Sequence, residues 1–119
     1  MEPIPVFFEM VDRTALVLKP RQPFYDWLKS IEPDNNEPEK LDNEEGPMVY
    51  LLPDFDEMKD VEKWLKKNFD MIFTDQLNNW YTDETIWVQN RTFKLFKEWF
   101  SYSLHTMVYD TLEEPIEKI

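Results

Sequence analysis

The chain has 119 residues, of which 25 are acidic and 13 basic, so its formal net charge is −12, with one histidine, one glycine and no cysteine. This length fits one domain, because domains usually have about 100 to 150 residues. The lack of cysteine excludes disulfides, thiolate nucleophiles and cysteine-ligated metals. The single glycine, Gly46, excludes phosphate-binding loops that need several glycines. The acidity argues against direct nucleic-acid binding, which depends on lysine and arginine.

No segment predicts contact with a membrane. The opening residues Met1-Glu2-Pro3 lack the basic region of a signal peptide, and the apolar run 15–18 is far shorter than the roughly 20 residues of a membrane span. Hydrophobic residues make up 42% of the chain, which is enough for a core rich in aromatic rings. We therefore expect a cytoplasmic protein that folds unaided.

The first elements in chain order are a strand, a helix and an acidic loop. The aliphatic run within residues 13–20 predicts a buried strand that ends at Pro20. Pro23 suits a first helical position, and the apolar residues after it recur at spacings of three and four. These residues are Phe24, Trp27, Leu28 and Ile31. Residues 32–47 are acidic and interrupted by prolines, which predicts an exposed loop.

The next segment predicts a strand followed by a long helix. Residues 48–52 are apolar throughout and end at Pro53, which predicts a second buried strand. Asp54 and Glu57 resemble a capping box with Asp54 as the N-cap. Apolar residues then follow helical spacing as far as residue 80, which predicts one long helix or two with a bend near Asn68.

The last third predicts a loop, a short helix and a strand. Residues 80–91 are polar and aromatic without a clear period, and Thr92 is a suitable cap for a helix over 93–100. Residues 102–109 alternate with a period of two, which predicts a third strand, with a continued helix as the alternative.

The order βαβααβ predicts a single α+β domain with a mixed sheet of about three strands and helices packed on it. If the first two strands are neighbours, their helical connection makes them parallel. We assign residues 1–12 to an N-terminal arm, 13–112 to the domain and 113–119 to a C-terminal tail. A further strand within residues 4–10 is a weaker expectation, because two prolines limit its hydrogen bonding.

The acidic segment, residues 32–62, is the most distinctive feature of the sequence. It holds 12 acidic residues against Lys40 and Lys59, and therefore carries −10 of the total charge of −12. A negative surface of this kind attracts a basic protein, although a solubilising loop with an acidic helix start would have the same composition. The candidate partner-binding residues are Glu37, Glu39, Asp42, Glu44, Glu45, Trp80, Tyr81 and Trp87. Mimicry of DNA charge is a lower-ranked alternative.

A second hypothesis is a domain that binds a small molecule or an anion, with or without catalysis. Cationic and polar residues follow the first strand just before a helix N-terminus, where anions bind favourably. The candidate ligand-binding residues are Lys19, Arg21, Gln22, Arg91 and His105. The alternative is that Arg91 pairs with a carboxylate, that the aromatic rings near it cover the core and that His105 is structural. No Gly-x-Ser-x-Gly motif accompanies the histidine, so we assign no catalytic residue.

Neither acidic cluster predicts a specific metal site. Residues 34–45 span the length of a calcium-binding loop, but Pro38 and Glu39 occupy positions that its turn cannot tolerate. Asp54, Asp56, Glu57 and Asp60 suit the first turn of a helix for dipole reasons alone. The sequence therefore predicts no metal and no cofactor, and a binding or regulatory protein rather than an enzyme.

Four stretches carry a resemblance to known sequences: residues 19–28, 49–53, 83–93 and 98–100. Together they resemble a group of small acidic bacterial proteins of uncharacterised function, over about residues 13 to 110. The resemblance implies a bacterial, cytosolic, single-domain protein. It supplies no activity, substrate or catalytic residue, and residues 1–12 do not match its pattern.

Overall fold

The computed structural model describes residues 8–32 and 47–119. Within these ranges the elements in chain order are β1 (Glu9–Met10), β2 (Thr14–Pro20), α1 (Gln22–Ile31), β3 (Met48–Leu52), α2 (Met58–Asn78), a 3-10 turn (Glu84–Ile86), α3 (Phe93–Trp99), β4 (Phe100–His105) and β5 (Tyr109–Asp110). The predicted α+β class is confirmed. Helices pack on a three-stranded sheet, and β1 pairs with β5 in a second sheet of two strands.

Strand β2 lies in the middle of the three-stranded sheet, between β3 and β4. Both neighbours run antiparallel to it, with Leu16 opposite Tyr50 of β3 and opposite Leu104 of β4. The expected parallel pairing of the first two long strands, and with it the mixed sheet, is therefore wrong. The chain leaves the sheet at the end of β2 and re-enters at Met48, which lies opposite Leu18. Because it leaves and re-enters at the same end, β3 has to run in the opposite direction.

The helices cover one face of this sheet. Leu16 and Leu18 of β2 point to that face and are at most 1% exposed. The ring of Phe100, at the start of β4, lies 5.3 Å from the ring of Phe24 in α1 and 5.4 Å from that of Phe73 in α2, measured between centroids. One buried ring therefore joins β4 to two helices, and such aromatic pairs add to the stabilisation that comes from burial alone.

Two helix starts show how local and non-local signals differ. The predicted cap of α3 is confirmed, because the Thr92 hydroxyl accepts a 3.1 Å hydrogen bond from the Leu95 amide. The predicted cap Asp54 is wrong, since the N-cap of α2 is Glu57 and helical structure begins at Met58. After β3 ends, the chain needs residues 53–57 to turn before a helix can form. From Met58 onward α2 is one helix of 21 residues, and not two helices with a bend near Asn68.

The predicted third strand is interrupted. It forms β4 and β5, and only β4 belongs to the main sheet. His105 lies opposite Ala15, whereas Tyr109 lies opposite Met10. The three residues 106–108 therefore lie opposite the four residues 11–14. The segment that joins β1 to β2 has one extra residue, as in a β-bulge. A bulge shifts the ladder by one residue, which explains why a continuous alternating pattern forms two separate strands.

Parts of two predicted regions lie outside the described residues. Of the N-terminal arm, residues 1–7 are not described, and residues 9–10 form β1. Of the predicted acidic loop, residues 33–46 are not described. In the two described ranges, no helix is long and apolar enough to cross a membrane.

Thr14 provides a test of the core. Its side chain is fully buried, and its hydroxyl has no hydrogen-bond partner within the described ranges. A buried polar group without a partner costs about 1 to 3 kcal/mol, and valine has the same branched shape. We expect Thr14→Val to raise the free energy of unfolding, measured in urea, by about 1 kcal/mol.

Thr14→Ser is the matched control, because it keeps the hydroxyl and removes only the methyl group. It should lower the free energy of unfolding by about 1 kcal/mol. A Thr14→Val protein less stable than the parent would show that the hydroxyl has a partner after all.

Candidate functional site

The predicted ligand-binding residues do not converge on one site. Lys19 lies at the end of β2, opposite Ser101, whereas His105 lies opposite Ala15. The two positions are four residues apart along β4, a distance of about 13 Å. Gln22, the first residue of α1, donates a 2.9 Å hydrogen bond to the Asp26 carboxylate.

His105 has a simple polar environment. Its Nε2 is hydrogen-bonded to the hydroxyl of Ser103 at 2.8 Å, and both side chains are exposed on the sheet face that points away from the helices. Among the described residues, no carboxylate is hydrogen-bonded to the imidazole ring. A catalytic histidine usually needs such a group to orient it. This arrangement matches the structural alternative considered for His105.

The guanidinium of Arg91 is hydrogen-bonded to other residues of the domain. Its Nε donates to the Asp70 carboxylate of α2 at 2.7 Å, and its Nη1 donates to the Val88 carbonyl at 2.8 Å. Asn90, the residue before it, has a φ of 55°, a left-handed conformation that asparagine tolerates better than most residues. The turn directs the guanidinium onto α2, as in the alternative in which Arg91 pairs with a carboxylate.

Arg21 lies in a different environment, in a shallow surface cleft of about 350 Å³. The other side chains that line it are Glu62, Lys97, Phe100, Ser101 and Tyr102. The Tyr102 hydroxyl donates a 3.1 Å hydrogen bond to Glu62. Burial, and after it this hydrogen bond, raises the pKa of Tyr102 to about 12. The cleft therefore combines two cations with one carboxylate.

The sequence analysis did not assign Glu62, Lys97 or Tyr102 to this cleft. Lys97 lies on the outer face of α3, and Glu62 is 35 residues before it in the sequence. Only the packing of α2 against α3 and β4 brings them together, and no local pattern carries that signal.

The aromatic loop between α2 and α3 is held by hydrogen bonds from indole rings. Trp27 of α1 donates to the Ile86 carbonyl at 2.9 Å, and Trp87 donates to the Tyr81 carbonyl at 2.7 Å. Tyr81 and Trp87 pack against the core, while Trp80 keeps 39% of its surface exposed. Of these three predicted partner-binding aromatics, Trp80 is the most accessible.

The five predicted partner-binding acids, Glu37, Glu39, Asp42, Glu44 and Glu45, lie outside the described residues. The described part of the acidic segment includes Asp54, Asp56 and Glu57, all exposed where the chain turns from β3 into α2. Glu57 forms a 3.2 Å ion pair with Lys59, and both side chains are well exposed. Such pairs add little stability, so these carboxylates remain open to a partner.

Strand β3 presents apolar side chains to solvent. Val49 is 61% exposed and Leu51 is 48% exposed, both on the sheet face that points away from the helices. On the helix-covered face, Tyr50 donates a 2.6 Å hydrogen bond to Asp75 and accepts one of 2.7 Å from the buried Gln76. This exposure has no signal in the sequence, because all five residues of the strand are apolar or aromatic and show no alternation. We call the outer edge of residues 48–52, with the side chains of Val49 and Leu51, the β3 edge.

Within residues 8–32 and 47–119, no group of three or more histidine and acidic side chains is arranged to hold a metal ion. Comparisons with protein-family models, with curated proteins and with solved structures find no match to this chain. The proposals below therefore depend on its own residues and geometry.

The raised pKa of Tyr102 predicts a loss of stability at high pH. Above pH 10 the unfolded chain loses the phenolic proton while the folded chain keeps it up to about pH 12. Stabilisation is therefore complete below pH 10 and falls between these values. We expect the free energy of unfolding, measured by denaturant titration, to decrease over this range and Tyr102→Phe to make the decrease smaller.

Tyr109→Phe is the control, because Tyr109 is 50% exposed and forms no ring contact or side-chain hydrogen bond in the described ranges. It should leave the decrease unchanged. An identical decrease in the parent and in Tyr102→Phe would contradict the assignment.

Proposed function

We propose that the protein is a non-enzymatic binding or regulatory protein that uses an acidic surface to bind a basic protein partner. The observation that carries the proposal is the uneven distribution of charge: residues 32–62 hold −10 of the total of −12. A field of one sign speeds the encounter with a partner of the opposite sign and selects against other partners.

The arrangement of the described residues supports this proposal. Interfaces commonly have an apolar centre within a polar rim. Val49 and Leu51 lie on a strand that is followed at once by the exposed Asp54, Asp56 and Glu57. Apolar contact area and negative charge therefore occur side by side.

The positions of the ionisable groups favour binding over catalysis. His105 is bonded to Ser103 on the open sheet face, Arg91 is paired with Asp70, and Lys19 lies at the other end of the sheet from His105. General acid–base chemistry needs such groups within hydrogen-bonding reach of one reacting centre.

The test is affinity capture from a bacterial lysate at low and high salt, with identification of retained proteins by mass spectrometry. The test variant carries Glu37→Gln, Glu39→Gln, Asp42→Asn, Glu44→Gln and Glu45→Gln. We expect the parent to retain a basic protein that high salt releases, and the variant to lose it, because screened or neutralised charges no longer attract.

A control variant removes the same number of negative charges from exposed residues elsewhere. It carries Glu9→Gln, Glu98→Gln, Glu113→Gln, Glu114→Gln and Glu117→Gln. It should retain the partner as the parent does. Equal loss in both variants would indicate a net-charge effect only, and failure of the parent to retain any basic protein would contradict the proposal.

A second candidate is a small-anion site, favoured by one observation: Arg21 and Lys97 line the same cleft. Glu62 in that cleft opposes the attraction, so we rank this function lower. It predicts that inorganic phosphate binds and that Arg21→Gln weakens binding, whereas Arg13→Gln, at an exposed arginine paired with Asp12, does not. Calorimetric titration without detectable heat would end this candidate.

A further inference from the structure

The β3 edge has the geometry of an acceptor for an additional strand. Among the described residues, β3 has a paired strand, β2, on one side only. Across the described ranges, no backbone hydrogen bond outside that ladder involves residues 48–52. An edge strand offers a row of free N–H and C=O groups, and an extended peptide can bind by pairing with them.

Residues 48–52 themselves carry none of the features by which an edge strand is protected within its own length. All five residues pair with β2 in continuous register, without a bulge, and none of them is charged. Natural edges are commonly protected by bulges, charges or prolines within the strand. Here Pro47 and Pro53 lie just outside the strand, so they limit its length without blocking it.

The other edge of the sheet differs in chemistry. The outward-facing residues of β4 are Ser101, Ser103 and His105, which are polar, whereas those of β3 are Val49 and Leu51. A strand added beside β3 would therefore bury more apolar surface, and gain more stabilisation, than one added beside β4.

The charges near β3 define the chemistry of the occupant. Asp75 is exposed on α2 beside the helix-facing side of β3, where its carboxylate accepts a 2.6 Å hydrogen bond from the Tyr50 hydroxyl. Asp54 and Asp56 are exposed just beyond the end of the strand. Side chains of an added strand alternate between the two faces, so one set would meet Val49 and Leu51 and the other would meet carboxylates.

We propose that the β3 edge binds an extended segment of a partner protein in which apolar residues alternate with lysine or arginine. Main-chain pairing with residues 48–52 supplies the affinity, and the alternation of apolar and cationic side chains supplies the specificity. This inference rests on the proposed function, because it names how a basic partner would bind.

The probe is a synthetic heptapeptide of alternating lysine and valine, blocked at both ends and titrated into the full chain. We expect amide resonances of residues 48–52 to shift, and those of β5 to stay unchanged. A control peptide has the same side chains but N-methyl groups on two neighbouring central amides, so each of the peptide's two edges lacks one N–H donor. It should bind about tenfold more weakly or worse. A glutamate–valine peptide should not bind.

The test variant is Val49→Lys with Leu51→Lys, two exposed positions at which a charge is compatible with folding. It should weaken binding of the lysine–valine peptide by about tenfold or more. The matched control, Leu112→Lys with Ile116→Lys, makes the same change at residues that are 67% and 65% exposed and follow β5. It should leave binding unchanged.

The inference is overturned if the lysine–valine peptide does not bind, if the N-methylated peptide binds equally well, or if the variant with Val49→Lys and Leu51→Lys binds the peptide as the parent does. It is also overturned if the parent without peptide is a dimer and these two substitutions dissociate it. The last result would identify a second copy of the chain as the occupant. If the variant with Val49→Lys and Leu51→Lys still retains a basic protein from lysate, while the variant with five neutralised acids at residues 37–45 loses it, the proposed function stands and this inference fails. If the parent retains no basic protein, the proposed function itself fails.

Discussion

Strand β2 is the element on which the rest of the structure depends, because in the part of the chain that the structure describes it is the only strand of its sheet with a neighbour on both sides. Leu16 and Leu18 are buried on the helix-covered face, which fixes the register of β2. A slip of one residue would expose both side chains to water. The register of β3 and β4 follows, since Tyr50 and Leu104 must lie opposite Leu16.

That register also decides what the open face of the sheet presents. With Tyr50 on the covered face, bonded to Asp75 and Gln76, its neighbours Val49 and Leu51 have to point outward. A sheet covered on one face usually has polar residues on the other. β4 obeys this rule and β3 does not. The core thus explains why Val49 and Leu51 point outward. It does not explain why they are apolar, since stability alone does not require apolar residues at these positions.

The elements that could be predicted from the sequence are those with local signals. The stripe of Phe24, Trp27 and Leu28 predicts α1 because its residues lie within two turns of each other. The cap of α3 is local for the same reason, since Thr92 and Leu95 are three residues apart. Such signals need no knowledge of the rest of the chain.

What could not be predicted depends on residues far apart in the sequence. The direction of β3 follows from where the chain re-enters the sheet, and the particular carboxylate that pairs with Arg91 is that of Asp70, 21 residues away. The ligand-binding hypothesis grouped Lys19, at the end of one predicted strand, with His105, within another. Antiparallel pairing puts them at opposite ends of the sheet, and nothing in the local pattern distinguishes the two outcomes.

The acidity of the chain also bears on the β3 edge. An unprotected edge strand is a hazard, because a second copy could pair with it. A pair of two β3 strands would bring together two chains that each carry the exposed carboxylates of Asp54, Asp56 and Glu57 just beyond the strand. Like charges placed together disfavour that pair, and a net charge of −12 keeps copies apart at longer range. In the proposed complex the same carboxylates attract the cationic strand, so one set of charges would both disfavour self-association at the edge and select the partner.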